Sequence, residues 1–127
     1  MFAILVVYNV ARGALPPLAV RQEYRVVLMG QAGYRRRLEL RADAWAALAE
    51  LFIFATPEAV DVALASVVRR EFVARHPACG ATAAALLVRE EASRGLDEVV
   101  LVRRSRAGAD VSGLERFKLI APSAVLW

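Results

Sequence analysis

The first apolar segment, residues 2–8, constrains the fold of this chain more than any other part of the sequence. It reads FAILVVY, so every side chain is aliphatic or aromatic. A strand with one face in water alternates apolar and polar residues, whereas a strand that is covered on both faces is apolar throughout. We therefore expect residues 2–8 to form an interior strand of a sheet. Residues 11–22, which contain Pro16-Pro17, are expected to be a surface connection.

Residues 23–41 carry the pattern of a β-hairpin. Two alternating segments are separated by Gly30-Gln31-Ala32-Gly33, which is typical of a short hairpin loop that ends in a left-handed glycine. A loop of residues 31–33 sets Arg25 opposite Glu39 and keeps apolar residues opposite one another. The polar face of this hairpin also carries Arg35 and Arg37.

Residues 43–55 are expected to form a helix. Asp43 is a suitable N-cap, and the apolar residues that follow it recur at helical spacing. The alternative is that residues 51–54 form a short buried strand, and periodicity alone does not decide between the two.

Two more helices are expected after this segment. Thr56 as N-cap and Pro57 at the first helical position predict a helix start. An apolar stripe continues from there to about Arg75, where His76-Pro77 ends the helix. A third helix is expected over residues 81–94, with Gly95 as its C-terminal cap.

Two strands are expected in the last third of the chain. Residues 98–103 are apolar on both faces, and residues 116–121 alternate.

The chain has 127 residues, of which 58% are hydrophobic. This composition excludes a disordered tail and allows one domain with its own core. We therefore expect a single α+β domain over residues 1–127. Its mostly antiparallel sheet would have about four to five strands, with two or three helices packed on one face.

Cysteine and histidine each occur once, as Cys79 and His76. A lone cysteine forms no internal disulfide, and these two residues cannot supply the four ligands of a usual zinc site, so we expect no metal and no cofactor. Their spacing could place an imidazole beside a thiol, but no Asn or Asp stands nearby to orient the imidazole. We expect structural roles for both residues, and no enzymatic activity.

The sequence predicts no membrane span and a cytoplasmic location. The apolar residues at the start of the chain lack the preceding positive region of a signal peptide. The longest stretch without a formal charge, residues 76–88, is shorter than the roughly 20 residues that cross a bilayer.

Arginine dominates the positive charge of this chain. Of the 17 basic residues only Lys118 is a lysine, and the formal net charge is +4. Guanidinium groups pair with phosphates in a bidentate manner and stack on bases. Two arginine clusters fall at expected turns, and with the neighbouring tyrosine they are our candidate nucleic-acid-binding residues: Tyr34, Arg35, Arg36, Arg37, Arg103, Arg104 and Arg106. The alternative is a surface of ion pairs, as in thermophile proteins, in which arginines meet Glu39, Glu71, Asp110 and Glu115.

The charge pattern favours a binding function. We expect a non-enzymatic nucleic-acid-binding module, or an accessory subunit of a nucleoprotein assembly, which contacts the phosphates of RNA or DNA through arginine-bearing hairpin tips. The alternative is a homo-oligomeric structural or adaptor protein with no nucleic-acid contact, because the chain carries more apolar residues than a small core absorbs. The apolar residues expected at the surface are Val27, Met29, Phe54 and residues 125–127.

Overall fold

The computed structural model describes residues 1–9, 15–42, 47–80, 82–93, 96–103 and 114–119. Within these ranges the chain forms six strands, three α-helices and one short 3₁₀ helix, which we label η1. In chain order they are β1 (Phe2–Asn9), α1 (Leu18–Met29), β2 (Tyr34–Ala42), β3 (Ala47–Phe54), α2 (Pro57–Ala65), α3 (Val67–Arg75), η1 (Pro77–Cys79), β4 (Thr82–Ser93), β5 (Leu96–Arg103) and β6 (Leu114–Leu119).

The strands close into a barrel in the order β1-β3-β2-β6-β5-β4. All neighbouring strands are antiparallel. The elements from β1 to β4 follow the split β-α-β-β-α-β arrangement, in which β1 lies between β3 and β4. The last two strands then join β4 to β2 and close the sheet. The expected interior position of the first strand is confirmed.

The apolar residues form two layers on opposite sides of the barrel wall. Alternate strand residues fill the inside, and they are Ala3, Leu5, Leu40, Ala49, Leu51, Ile53 and Ala85. A second set of strand residues, Ile4, Val6, Tyr8, Phe52 and Phe54, faces the helices, where it packs against Tyr24, Leu28, Val60, Ala63, Phe72 and Cys79. Because both faces of β1 are covered, its sequence shows no alternation.

The α+β class is confirmed, with an antiparallel sheet and three helices on one side of it, although the sheet has six strands within the described residues rather than four or five. The helix start at Pro57 is also confirmed, since the Thr56 hydroxyl accepts a hydrogen bond from the Ala59 amide at 3.1 Å. The helix that follows is interrupted at Ser66, whose backbone is extended and whose side chain caps α3. As expected, the helical segment ends at His76.

The expected hairpin over residues 23–41 is wrong, because its first half belongs to α1. Tyr24 and Leu28 are one helical turn apart and are fully buried, so the apolar pattern has the period of a helix. The glycine turn nevertheless separates two elements, and Gly33 has a φ of 86°, as a left-handed turn residue requires. The expected surface connection over residues 11–22 is likewise wrong from Leu18 onward, where α1 begins.

The expected helices over residues 43–55 and 81–94 are also wrong. Residues 47–54 form β3, which includes the alternative strand over residues 51–54, and β4 occupies Thr82–Ser93. Alanine has a high helix propensity, but the barrel interior combines small side chains with large ones, and Ala85 fills a small position inside it opposite Ala3. Tertiary packing therefore overrides local propensity in β4. The expected cap at Gly95 lies outside the described residues.

Strands in the last third of the chain are confirmed, as Leu96–Arg103 and Leu114–Leu119.

The apolar residues that were expected at the surface have mixed outcomes. Met29 is 43% exposed, as expected, but Val27 is half-buried and Phe54 is buried in the helix-facing layer. Residues 125–127 lie outside the described ranges.

Candidate functional site

The candidate arginine run begins at the first residues of β2, after the turn that follows α1. Tyr34 pairs with Phe54 and Arg36 pairs with Ile53, so a β-bulge leaves Arg35 as an extra residue between the two pairs. Both Arg35 and Arg36 are exposed. Since a bulge redirects side chains at the edge of a regular ladder, two consecutive guanidinium groups reach solvent at this end of the strand.

The turn before the bulge is held by close packing. The Gly33 carbonyl accepts a hydrogen bond from the Ala55 amide at 2.8 Å. A Cβ atom added to Gly33 would lie 2.8 Å from the Cβ atom of Ala59, so the turn packs against α2 without room for a side chain. The start of β2 is therefore fixed by both β3 and α2.

Tyr34 is part of the packed structure rather than an open stacking surface. Its ring is half-buried and meets the ring of Phe54 edge-on, at a centroid distance of 6.0 Å. Burial raises the pKa of the Tyr34 hydroxyl, while the nearby charge of Arg37 acts in the opposite direction.

Arg37 belongs to a buried ion-pair network. Its Nη1 atom donates to Glu39 Oε1 at 2.9 Å and lies 3.9 Å from Glu50 Oε1. The Arg37 side chain is 12% exposed. Arg37 therefore differs from its two exposed neighbours in burial, and its guanidinium lies against carboxylates of the protein.

The network is centred on Arg25, which α1 directs onto the outer face of the barrel. Glu39 on β2 and Glu50 on β3 are directly opposite each other in the ladder. Arg25 lies between them: its Nη2 atom donates to Glu39 Oε1 at 3.1 Å, and its Nε atom donates to Glu50 Oε1 at 2.7 Å. Two facing carboxylates repel each other in a sheet, so this buried guanidinium offsets their repulsion and attaches α1 to β2 and β3.

The sequence predicted one of the two acidic partners of Arg25 in this network. The pairing of Arg25 with Glu39 is present, although it joins a helix to a strand rather than two strands of a hairpin. Glu50 was missed because its segment was expected to be helical. The pattern of a single glutamate within the apolar run of residues 47–54 could have indicated a buried acid that needs a cationic partner.

Arg103 lies apart from the first arginine cluster. It is the last residue of β5 and pairs with Ala85. Successive cross-strand pairs lead from Arg36 on β2 across β3, β1 and β4 to Arg103 on β5. The paired residues in between are Ile53, Ala3 and Ala85. Four strand spacings correspond to about 19 Å along the barrel wall. Arg104 and Arg106 lie outside the described residues, so the structure brings together Tyr34, Arg35, Arg36 and Arg37 but does not join Arg103 to them.

Cys79 and His76 occupy structural positions. The Cys79 side chain is fully buried, and burial raises the pKa of its thiol. His76 follows the last residue of α3, and its ring lies 4.8 Å from the ring of Phe72. A buried thiol that is held in its neutral form is a poor nucleophile.

Three exposed residues of α1 form an apolar stripe, which we call the α1 stripe. Leu18 and Met29 are each 43% exposed, and Val26 is 71% exposed. Together with the exposed Gln22 they recur at intervals of three and four residues, so they share one face of the helix. Val26 lies opposite the face that carries Tyr24 and Leu28 into the core, whereas Leu18 and Met29 border that face, in agreement with their lower exposure.

The described part of the chain contains no group of three or more His, Cys, Asp or Glu residues that could hold a metal ion. No helix within the described residues combines the length and the hydropathy needed to cross a membrane.

Comparison of the chain with protein-family models, with curated proteins and with solved structures returned no match.

Proposed function

We propose that this protein is a non-enzymatic nucleic-acid-binding module, or an accessory subunit of a nucleoprotein assembly, which contacts phosphates through Arg35 and Arg36. The observation that supports this proposal is the β-bulge, which presents two consecutive exposed arginines at the rim of a closed barrel. Arginine binds phosphate oxygens in a bidentate manner and keeps its charge at any physiological pH.

The neighbouring network explains why the contact is assigned to these two arginines. Arg25 and Arg37 face two carboxylates, so the four buried groups balance one another in charge. If either arginine moved toward a phosphate, a buried carboxylate would lose part of the positive charge that neutralises it. Such a loss costs stability. Arg35 and Arg36 are exposed, and a phosphate can therefore approach them from solvent. They also lie on a strand that is fixed at its start, so little ordering is needed on binding.

A binding assay with matched variants tests the proposal. Fluorescence anisotropy would be measured with a labelled RNA oligonucleotide and with single-stranded DNA of the same sequence. The double variant Arg35→Ala/Arg36→Ala should weaken binding by at least about tenfold, since each charge-assisted contact contributes more than about 1 kcal/mol. The control Arg70→Ala/Arg75→Ala removes two positive charges from α3. Its affinity for the same oligonucleotides should differ from that of the native protein by less than about threefold.

Two results would contradict the proposal. One is equal loss of affinity in both double variants, which would show that only the total charge matters. The other is the absence of binding to either oligonucleotide at low salt. Binding to one oligonucleotide alone would identify the sugar that the protein prefers, because the phosphate chemistry is shared by RNA and DNA.

A second function is favoured by the α1 stripe. We propose, as the alternative, that a second copy of this chain covers the stripe and that the protein is a homo-oligomeric structural or adaptor protein. The stripe holds no charged residue, and Leu18 and Val26 are equally spaced about Gln22. A two-fold antiparallel pairing centred on Gln22 therefore sets Leu18 of one copy opposite Val26 of the other, as a self-complementary interface requires.

The oligomeric state tests this alternative. Sedimentation velocity at micromolar concentration should show a dimer for the native protein and a monomer for Val26→Glu. The control Val62→Glu introduces the same charge at a valine that is 65% exposed on α2, and it should leave the dimer intact. A native protein that is monomeric at this concentration, or that is dissociated equally by both substitutions, would exclude pairing through α1.

The proposal includes a cytoplasmic location. The one cysteine of the chain is free and buried. A fold without a disulfide is not destabilised by the reducing conditions of the cytoplasm.

A further inference from the structure

Two oxygen atoms in the helix-facing layer are buried without a nitrogen or oxygen atom as hydrogen-bond partner. They are Tyr8 Oη and Glu50 Oε2. Tyr8 is 2% exposed and Glu50 is 4% exposed. Buried polar atoms in native proteins are almost always hydrogen-bonded to protein or to ordered water, because leaving one unsatisfied costs about 1–3 kcal/mol.

The ladder places these two atoms near each other. Glu50 on β3 is directly opposite Val6 on β1, and Tyr8 lies two residues beyond Val6 on the same face. Diagonal neighbours of this kind lie about 7–8 Å apart between Cα atoms, within reach of a tyrosine and a glutamate side chain. The charge of Glu50 also contributes to a raised pKa of the Tyr8 hydroxyl, behind burial as the main cause, and this agrees with their proximity.

The orientation of the carboxylate explains why one of its oxygens has no partner. Arg25 donates from both Nε and Nη2 to the same oxygen, Glu50 Oε1. The other oxygen is therefore left for a group on the β1 side. Cys79 borders this region, since its thiol is fully buried in the same cluster as Tyr8, and a weak hydrogen bond between the thiol and the Tyr8 hydroxyl contributes to the pKa shifts of both groups.

We propose that Tyr8, Glu50 and Cys79 form a binding site for one buried water molecule. The water donates a hydrogen bond to Glu50 Oε2 and accepts one from the Tyr8 hydroxyl, and the Cys79 thiol is its third polar neighbour. Buried waters typically make about three hydrogen bonds to groups that are otherwise unsatisfied. The water would thus connect the first strand to the ion-pair network that holds α1.

A crystal structure at a resolution of about 1.5 Å or better tests this site. A water peak is expected within about 2.6–3.2 Å of both Tyr8 Oη and Glu50 Oε2. A direct hydrogen bond between the two oxygens, or an empty map around them, would overturn the proposal.

Two conservative variants test whether the water depends on these groups. In Tyr8→Phe the ring stays in the core while the donor is lost, so the peak should be weakened or lost. In Tyr34→Phe, which removes a hydroxyl elsewhere in the same layer, the peak should be unchanged. An unaltered peak in Tyr8→Phe would show that the hydroxyl does not hold the water. Oxygen-17 relaxation dispersion in solution gives the same comparison without crystals, since a buried long-lived water adds a signal that Tyr8→Phe should abolish.

Discussion

Removing the Arg25 guanidinium should destabilise the protein more than any other single change to its charged residues. The substitution Arg25→Met keeps most of the side-chain volume but leaves Glu39 and Glu50 facing each other with only part of their charge compensated, by the guanidinium of Arg37. Breaking a buried ion pair by removing one partner costs about 3–5 kcal/mol. Since a domain of this size is typically stable by only about 5–15 kcal/mol, the loss is a large fraction of the total.

The assay is urea unfolding followed by far-ultraviolet circular dichroism, in which the midpoint and slope give the free energy of unfolding. Arg21→Met is the matched control, because Arg21 lies on the same helix and its Nε donates to the Pro16 carbonyl. That variant should lose less than about 1 kcal/mol, as expected for a partly exposed arginine.

A double variant separates the lost charge balance from lost packing. Arg25→Met combined with Glu50→Leu leaves Arg37 and Glu39 as a balanced pair, so it should recover about half or more of the lost stability. A cost below about 1 kcal/mol for Arg25→Met, or a double variant that is as unstable as the sum of its two single substitutions, would refute the central role of Arg25.

Three further predictions concern the packed groups around the network. Burial raises the pKa of Tyr8 and of Cys79 above their ordinary values of 10.0 and 9.0, so both groups stay neutral in the folded state while they ionise in the unfolded chain. The unfolded chain then binds fewer protons, and the free energy of unfolding should fall as the pH rises from about 9 to 11, less steeply in Tyr8→Phe. A thiol reagent such as DTNB at pH 8 should modify Cys79 only on the timescale of unfolding, and rapid reaction in the native state would contradict its burial. Gly33→Ala should cost about 1–3 kcal/mol, because the left-handed φ and the contact with Ala59 both oppose a side chain, whereas Gly30→Ala, at a φ of −78°, should cost less in the same unfolding assay.

The parts of the fold that sequence patterns predicted correctly are those in which the local signal and the tertiary environment agree. The continuous apolar run of β1 requires cover on both faces, and the barrel supplies it. The cap at Thr56 and the proline after it define the start of α2 whatever surrounds them. These signals depend on few neighbours, so the sequence alone is sufficient for them.

The errors occur where the surroundings decide between helix and strand. Residues 23–26 alternate well enough to resemble a strand, but only the position of β1 and β3 shows that Tyr24 and Leu28 are buried together. The segments of β3 and β4 are rich in alanine and leucine, which favour a helix, yet the inside of a narrow barrel selects such side chains for their size. Barrel closure depends on contacts between distant segments, and no local window carries that information.

The candidate site shows the same division. The arginine run at residues 35–37 is visible in the sequence as a cluster of charge, but the difference in burial between Arg37 and its two exposed neighbours depends on the bulge and on Glu50. Sequence spacing also placed Arg103 at a turn, and in the structure it is the last residue of β5. Sequence spacing did not indicate that, along the row of paired residues, β3, β1 and β4 lie between Arg103 and Arg36.

The salt dependence of nucleic-acid affinity tests the central claim most directly. For single strands the slope of log K against log salt concentration changes by about 0.7 for each phosphate contact. If Arg35 and Arg36 each neutralise one phosphate, the slope for Arg35→Ala/Arg36→Ala should be shallower than that of the native protein by about 1.4, and the slope for Arg70→Ala/Arg75→Ala should be unchanged. Equal slopes for the native protein and the bulge variant would contradict the claim that the exposed arginines of the β2 bulge bind nucleic-acid phosphates.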